Sequence, residues 1–293
     1  MKNRLVRASR SLLEAALAVA ATIAVLAALS HVFVPKNNQA EFGQRDERVY
    51  GVLGQPEGGV EVLFLGDSEA YTSFSPLQLW DERGITSYVL GTPGQKLCYT
   101  RSLLGRALER QRPRVVVLET NCLFRSFSVG EALVRAAQDA LPVLEYHDRW
   151  KSLRPEDVLG TVRATWTDEA RGFVGKEGAV PADASSHMAP SDEVAGLPWL
   201  SRVYLDDIAR TCERAGARLV LVSTPSTRNW STARHNRMER VASELGVDYV
   251  DLNVGKDRVE IDWSRDTYDG GDHLNVDGAR KVTSAVGALL ARV

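Results

Sequence analysis

The sequence has few of the residues that define several common protein classes. Three cysteines in 293 residues are too few for a disulfide framework, and the five histidines lack the spacing of a metal site. Thirty-six basic and 38 acidic side chains give a net charge of −2. Nucleic-acid binding needs a basic excess, so no nucleic-acid partner is expected. The sequence predicts neither a cofactor nor a resident metal, and it contains no internal repeat.

Cysteine pairing has two interpretations. Cys98 and Cys122 both follow predicted strands at the same edge of a sheet, so one bridge is conceivable in an oxidising compartment. Three buried free thiols, at Cys98, Cys122 and Cys212, are the favoured alternative.

One long apolar run lies near the N-terminus. Residues 15–34 are almost wholly apolar, which just reaches the roughly 20 residues of a membrane-spanning helix. Four basic residues precede the run, so the positive-inside rule places this end in the cytoplasm and the rest outside. A cleaved secretory signal is the alternative, but its apolar core is usually about 7–15 residues. The sequence favours a cytoplasmic tail and uncleaved anchor over residues 1–36, with residues 12–34 in the cell membrane.

Beyond a linker expected at residues 37–59, strand-like runs alternate with helical patterns. The predicted strands are Val60–Leu65, Ser87–Leu90, Val115–Glu119, Leu219–Ser223 and Tyr249–Leu252. Helices are expected at residues 97–110, 200–215, 232–245 and 276–291. This alternation predicts an α/β domain over residues 60–293, with parallel strands joined by crossover helices.

Residues 124–198 interrupt the alternation. Helices are expected near residues 129–140 and 155–167, and a small, polar stretch follows at residues 175–196. We interpret the whole segment as an insertion over the sheet edge. Two roles stay open for it, a mobile surface excursion or a lid or acceptor-binding element.

Four residues at predicted strand ends and in the final loop form a candidate site. The first strand stops at Gly66-Asp67-Ser68, which would place Ser68 at the sheet rim and at the start of a helix. Gly94 and Asn121 follow the second and third strands, and His273 precedes the last helix. The carboxyl ends of parallel strands meet in one crevice. The order therefore predicts a serine nucleophile with a histidine base.

With these residues in this order, the chain resembles the SGNH (GDSL-type) hydrolase superfamily, whose four blocks supply a serine, a glycine, an asparagine and a histidine. The resemblance covers residues 60–290 apart from the insertion. It implies a flavodoxin-like three-layer α/β/α sandwich, with Ser68 as nucleophile and His273 as base. It also implies an oxyanion hole formed by the amides of Ser68 and Gly94 and the side chain of Asn121.

The carboxylate that should orient His273 departs from the superfamily pattern. That acid usually stands three residues before the histidine, where this chain has Gly270. Asp269 and Asp272 flank the position. A one-residue bulge in the glycine-rich loop would bring Asp269 into place, so Asp269 is preferred and Asp272 is kept as the alternative.

The branch of the superfamily that the chain most resembles is membrane-anchored and extracytoplasmic. Its members are similar to the D-alanyl-transfer protein of teichoic acid modification and to polysaccharide O-acetyltransferases. The resemblance implies a serine esterase or O-acyltransferase that acts outside the cell on acyl esters of cell-envelope glycans. A transferase would need a multi-pass membrane acyltransferase as its partner. The alternative is a catalytically inactive, membrane-tethered glycan-binding or assembly protein that keeps the fold.

Overall fold

A computed structural model describes residues 2–292 and the side chains of residues 9–292. The strands of its sheet are β1 Val62–Gly66, β2 Ser87–Gly91, β3 Val115–Glu119, β4 Arg218–Ser223 and β5 Asp248–Asp251. All neighbours pair in parallel, in the order β2-β1-β3-β4-β5. This is the flavodoxin-like strand order, so the predicted fold class is confirmed.

Helices surround the sheet and extend from it. Their bounds are α1 Lys2–Phe33, α2 Glu47–Tyr50, α3 Ser68–Ser73, α4 Pro76–Arg83, α5 Leu97–Leu108, α6 Val129–Ala140, α7 Val143–Tyr146, α8 Pro155–Leu159, α9 Trp199–Arg214, α10 Thr232–Leu245 and α11 Val276–Leu290. Short 3₁₀ helices lie at Ala40–Phe42, Gly51–Gly54, Asn121–Phe124, His147–Lys151 and Gly255–Asp257.

The core lies on both faces of the sheet. Side chains alternate along each strand, so Leu63 and Leu65 face one side while Phe64 faces the other. Helices α5, α9 and α10 cover the first face, and α3, α4 and α11 cover the second. On the second face Phe64 stacks on Phe74 with ring centroids 4.5 Å apart. The strands are buried on both sides, which explains their continuous apolar sequence.

Helix α1 contains the apolar run. Ser9–Phe33 is long and apolar enough to cross a membrane, with a mean hydropathy of 2.3, and none of its most apolar window is buried. Such a helix could be a membrane span or a signal sequence. Its last turns touch the folded domain, where Ser30 is buried, while the side chains described at residues 9–25 are exposed.

Residues 37–59 are folded against the α/β domain. Val49, Tyr50 and Val52 are buried in the same cluster as the first face of the sheet. The side chain of Asn38 donates to the carbonyls of Tyr50 and Trp166, which ties this segment to the insertion. The N-terminal helix is therefore joined to the domain by packed chain.

The insertion wraps the β2 edge of the sheet. The Val89 amide donates to the Arg171 carbonyl at 2.9 Å, and the Val174 amide donates to the Tyr71 carbonyl at 2.8 Å. The helix expected at residues 155–167 is wrong beyond Leu159, because α8 ends at Gly160 and the chain then turns to bridge Arg163 with Asn37.

The small, polar end of the insertion is hydrogen-bonded to the last loop of the domain. The Val180 amide donates to the Thr267 carbonyl at 2.9 Å, and the Val276 amide donates to the Lys176 carbonyl at 2.9 Å. These bonds put the segment beside His273, and they disfavour the mobile-excursion interpretation. Elsewhere, Cys98, Cys122 and Cys212 are free and buried, as favoured from the sequence.

Candidate active site

Ser68 is the first residue of α3, directly beyond the carboxyl end of β1. A Cβ atom at Gly66 would lie 2.7 Å from Ala70 Cβ and 2.9 Å from Glu119 Cβ, so only glycine permits this tight exit from the strand. Asp67 caps α3 by accepting from the Glu69 amide at 3.1 Å. Ser68 retains 8% exposure, and its Oγ forms no hydrogen bond to another described residue.

His273 is held by a single carboxylate. Asp269 Oδ2 lies 2.7 Å from His273 Nδ1, and Asp269 Oδ1 accepts from the His273 backbone amide at 2.8 Å. A proton on Nδ1 satisfies this geometry, and in the neutral ring that tautomer has its lone pair on Nε2. Within residues 2–292, Nε2 is buried without a hydrogen-bond partner. This nitrogen is therefore the available base.

Two glycines make the contact between Asp269 and His273 possible. Gly270 and Gly271 adopt φ values of 76° and 90°, which other residues rarely adopt. A Cβ atom at Gly271 would also lie 2.0 Å from Thr227 Oγ1. The turn lets the Asp269 carboxylate reach Nδ1 of His273, four residues further along the chain.

Asp272 occupies a different position. Its Oδ1 is 3.8 Å from His273 Nδ1, too far for a hydrogen bond, and accepts instead from the Asn229 side chain. The same Asn229 Nδ2 donates to Glu69 Oε1 at 2.8 Å. Asn229 thus bridges the residue after Ser68 to the residue before His273, and this bridge brings the two loops together.

Asn121 is oriented by an arginine. Arg234 Nη1 donates to Asn121 Oδ1 at 2.7 Å and also to the carbonyl of Asn229. The Asn121 backbone amide donates to both Glu119 oxygens, at 3.1 and 2.9 Å. With Oδ1 engaged, the amide group must present Nδ2 as a donor, and no described residue accepts from it.

Gly94 lies in the exposed turn after β2. Its φ of 60° favours glycine, and a Cβ atom there would meet nothing within 4 Å. Gln95 fixes the turn from inside by accepting from the Thr92 amide at 2.9 Å and donating to the Leu90 carbonyl at 3.1 Å. In the described chain the Gly94 amide has no backbone partner, so it remains a free donor.

Buried carboxyl groups surround these residues. Burial raises the pKa of Glu69 well above its usual range, and the nearby charges of Glu119 and Asp67 raise it further. Burial raises the pKa of Glu119 to about 8, and the nearby charge of Asp67 is the second cause of this rise. Asp67 is fully buried and pairs with Arg125. Burial therefore favours the protonated form of Glu69, whose Oε1 accepts a hydrogen bond from the Asn229 side chain.

Three of these groups could also hold a cation. Ligand atoms of Glu69, Asp272 and His273 lie within 4.8 Å of one another. However, the Asn229 amide already bridges the two carboxyl groups, and Asp269 holds His273 Nδ1. The arrangement suits proton transfer from a hydroxyl better than metal binding.

The structure therefore brings together the loops of Ser68, Asn121, Asp269 and His273, and it separates Asp272 from the imidazole. Asn229 and Arg234 were missed by sequence reasoning. Both residues follow β4, whose carboxyl end opens on the same crevice. Their position after this strand was therefore the one feature of the sequence that could have indicated them. Neither residue belongs to a short motif.

No protein-family model matches the sequence, and no curated protein sequence is similar to it. Solved structures with a similar fold include the esterase EstA from Pseudoalteromonas (11% identity, TM-score 0.40, 79% of this chain and 96% of that one). A GDSL-like lipase from Bacteroides thetaiotaomicron is 12% identical, with a TM-score of 0.36 over 79% and 85% of the two chains. The acetylxylan esterase Axe2 from Geobacillus stearothermophilus is 12% identical, with a TM-score of 0.36 over 80% and 94%.

Proposed function

We propose that this chain is an SGNH-type serine enzyme, an ester hydrolase or O-acyltransferase anchored in the cell membrane with its catalytic domain outside. The observation that carries the proposal is the Asp269–His273 pair, in which the Nε2 atom of His273 is buried and has no hydrogen-bond partner among the described residues. Asn229 ties its loop to the residue beside Ser68. A base, an orienting acid and a serine at a helix start are the elements of acyl transfer.

The reaction would proceed through an acyl-enzyme. Ser68 Oγ attacks the ester carbonyl while His273 Nε2 accepts the hydroxyl proton. Asp269 accepts the Nδ1 hydrogen bond throughout and stabilises the imidazolium. The imidazolium then protonates the departing alcohol, which leaves the acyl group on Ser68. Water or a sugar hydroxyl, deprotonated by His273, releases the acyl group and restores the serine.

The tetrahedral oxyanion needs donors that are already in place. The Ser68 and Gly94 amides and Asn121 Nδ2 are proposed to supply them. Arg234 supports this role for Asn121, because the bond to Oδ1 keeps Nδ2 free for the substrate. Each such donor is typically worth about 10²–10³ in rate.

The substrate class follows from the proposed location. If α1 spans the membrane with its basic end inside, the domain meets the cell envelope, where acyl esters of glycans are available. An O-acyltransferase would take its acyl group from a multi-pass membrane partner. Fusion of a reporter active only outside the cytoplasm to the C-terminus tests this topology, and an inactive fusion would refute it.

Covalent labelling tests the nucleophile. The full-length protein in detergent should label with a fluorophosphonate probe, and Ser68→Ala should abolish labelling. Ser73→Ala is the matched control, because Ser73 lies in the same helix with a buried hydroxyl that has no described partner. A folded protein that never labels would support the alternative of a non-catalytic glycan-binding protein.

Product analysis separates the two enzyme classes. Release of acetate from a chromogenic acetyl ester should be measured with and without an oligosaccharide acceptor. Acylated sugar that depends on Ser68 indicates a transferase. Acetate release without acylated sugar indicates a hydrolase.

A further inference from the structure

The outer end of α1 is fixed to the insertion by polar contacts. Ser30 Oγ accepts from the Val143 amide at 3.1 Å, at the start of α7. Arg149 donates to the Phe33 carbonyl at 2.5 Å and pairs with Asp157 at 2.8 Å. Arg149 and Asp157 are both buried, and the guanidinium satisfies a carbonyl that the helix end leaves free. The angle between α1 and the domain is thereby set.

The elements that hold α1 also carry exposed apolar side chains. We define the 144–162 face as Leu144, Trp150, Leu153, Val158, Leu159 and Val162, whose exposure runs from 37% to 88%. These residues belong to α7, α8 and the segments beside them, which pack around the last turns of α1. A cluster of large apolar side chains in water indicates a missing contact.

The apolar surface of α1 itself identifies that contact. The 144–162 face is carried by elements that contact α1, because α7, α8 and the 3₁₀ helix at residues 147–151 all pack against it. Trp150 is about two-thirds exposed with Lys151 Nζ 5.5 Å from its ring centre, a combination typical of the membrane–water interface. Acidic and basic residues balance over residues 142–163, so apolar insertion rather than charge would provide the attraction.

We propose that the 144–162 face lies in the interfacial region of the bilayer around the outer end of α1, as a second, monotopic membrane contact. This inference rests on the proposed anchoring by α1. The insertion that carries the face returns along residues 263–276 beside His273. Seating the face in lipid therefore holds the candidate active site at a fixed height and tilt above the membrane, within reach of membrane-proximal acyl esters.

A site-specific fluorophore tests the proposal in the full chain. The three native thiols are buried, so Leu159→Cys can be labelled selectively with an environment-sensitive dye in nanodiscs. Leu133→Cys is the matched control, since Leu133 is also exposed but lies on α6. Lipids with a nitroxide near the headgroup should quench the label at residue 159 and leave the label at residue 133 unchanged. Trp150→Cys should behave like Leu159→Cys.

Each other result overturns the proposal in a recognisable way. A water-like, unquenched emission at residues 150 and 159 means that the face is in solvent. Blue-shifted emission without lipid quenching means that a protein, such as a second copy, covers it. Extraction of the chain from nanodiscs or membranes by carbonate would refute the α1 anchor itself, whereas an embedded chain with unquenched labels refutes only the face.

Discussion

Two histidine–aspartate pairs in this molecule have nearly the same geometry and different surroundings. Asp269 Oδ2 lies 2.7 Å from His273 Nδ1, and Asp251 Oδ2 lies 2.8 Å from His235 Nδ1. Asp251 ends β5 and His235 lies in α10, whereas Asp269 and His273 share the loop before α11. By distance alone, either could be the acid–base pair of a catalytic site.

The opposite nitrogen of each ring distinguishes them. His235 Nε2 lies 3.3 Å from Glu239 at the surface, whereas His273 Nε2 is buried and has no partner among the described residues. A histidine with both nitrogens engaged cannot accept a proton from a substrate or a nucleophile without losing a contact. A free, buried nitrogen is a better indicator of a catalytic base than the aspartate behind it.

The two carboxylates differ as well. Asp251 also accepts from Trp230 Nε1 at 2.9 Å, Tyr249 OH at 3.0 Å and the Asn253 amide at 2.8 Å. Burial raises the pKa of Asp251, but the hydrogen bonds from His235, Asn253 and Trp230 outweigh burial and leave the pKa below its usual value. Asp251 is thus the centre of a structural network that joins β5 to α10, whereas both carboxylate oxygens of Asp269 contact His273.

Replacing each histidine in turn should reveal the largest difference in function between the two pairs. If the proposed function holds, His273→Gln should lower kcat by about 10⁴–10⁶, as loss of the base does in serine proteases. His235→Gln should keep kcat near wild type and lower the free energy of unfolding by about 1–3 kcal/mol, because a buried carboxylate loses a partner. Steady-state kinetics and urea unfolding measure the two effects. Equal loss of activity in both variants would remove the distinction.

The two aspartates in the loop of His273 should also differ in their effect on kcat. Asp269→Asn should reduce kcat by about 10⁴, because an amide does not stabilise the imidazolium and favours the wrong tautomer. Asp272→Asn should reduce it little, since an asparagine oxygen can still accept from Asn229. If Asp272→Asn is the inactive variant, the assignment of the acid is reversed.

Asn121 and Arg234 should show graded effects on the same step. Asn121→Ala removes a proposed oxyanion donor, with an expected loss of about 10²–10³ in kcat and little change in KM. Arg234→Met leaves the amide present but unoriented, so its loss should be smaller, and Arg234→Lys should recover part of it. An Arg234→Met effect as large as that of Asn121→Ala, with no recovery by lysine, would contradict a positioning role.

Glu69→Gln should have the smallest effect, visible in the pH dependence of stability. Because burial raises the folded-state pKa of Glu69, its contribution to stability is complete below the unfolded value of 4.5 and declines as pH rises toward the folded pKa. The decline is at most about 1.4 kcal/mol per pH unit. Glutamine does not titrate, so the variant should gain stability relative to wild type as the pH rises above 4.5. If the free energies of unfolding of wild type and Glu69→Gln differed by the same amount at every pH, Glu69 would not be protonated in the fold.

The local pattern of apolar residues was sufficient to predict the strands of the sheet, but it did not predict every helix. The strand β3 and the helix α10 begin and end where the apolar periodicity predicted, because a buried strand and an amphipathic helix each leave a continuous signal. The expected helix at residues 155–167 stops at Leu159, since pairing of Arg163 with Asn37 draws the chain into an extended form. That partner is more than a hundred residues away and leaves no local trace.

The sequence by itself determined the α/β alternation, the apolar N-terminal helix and the order of Ser68, Gly94, Asn121 and His273. These follow from periodicity and from the chemistry of single side chains. Only the tertiary structure decided that Asp269 contacts the imidazole while Asp272 turns to Asn229. It also placed Arg234 on Asn121 and left His273 Nε2 without a partner within the part of the chain that the structure describes. The physical reason is that these contacts join loops distant in sequence, and their geometry depends on how the whole sheet edge is packed.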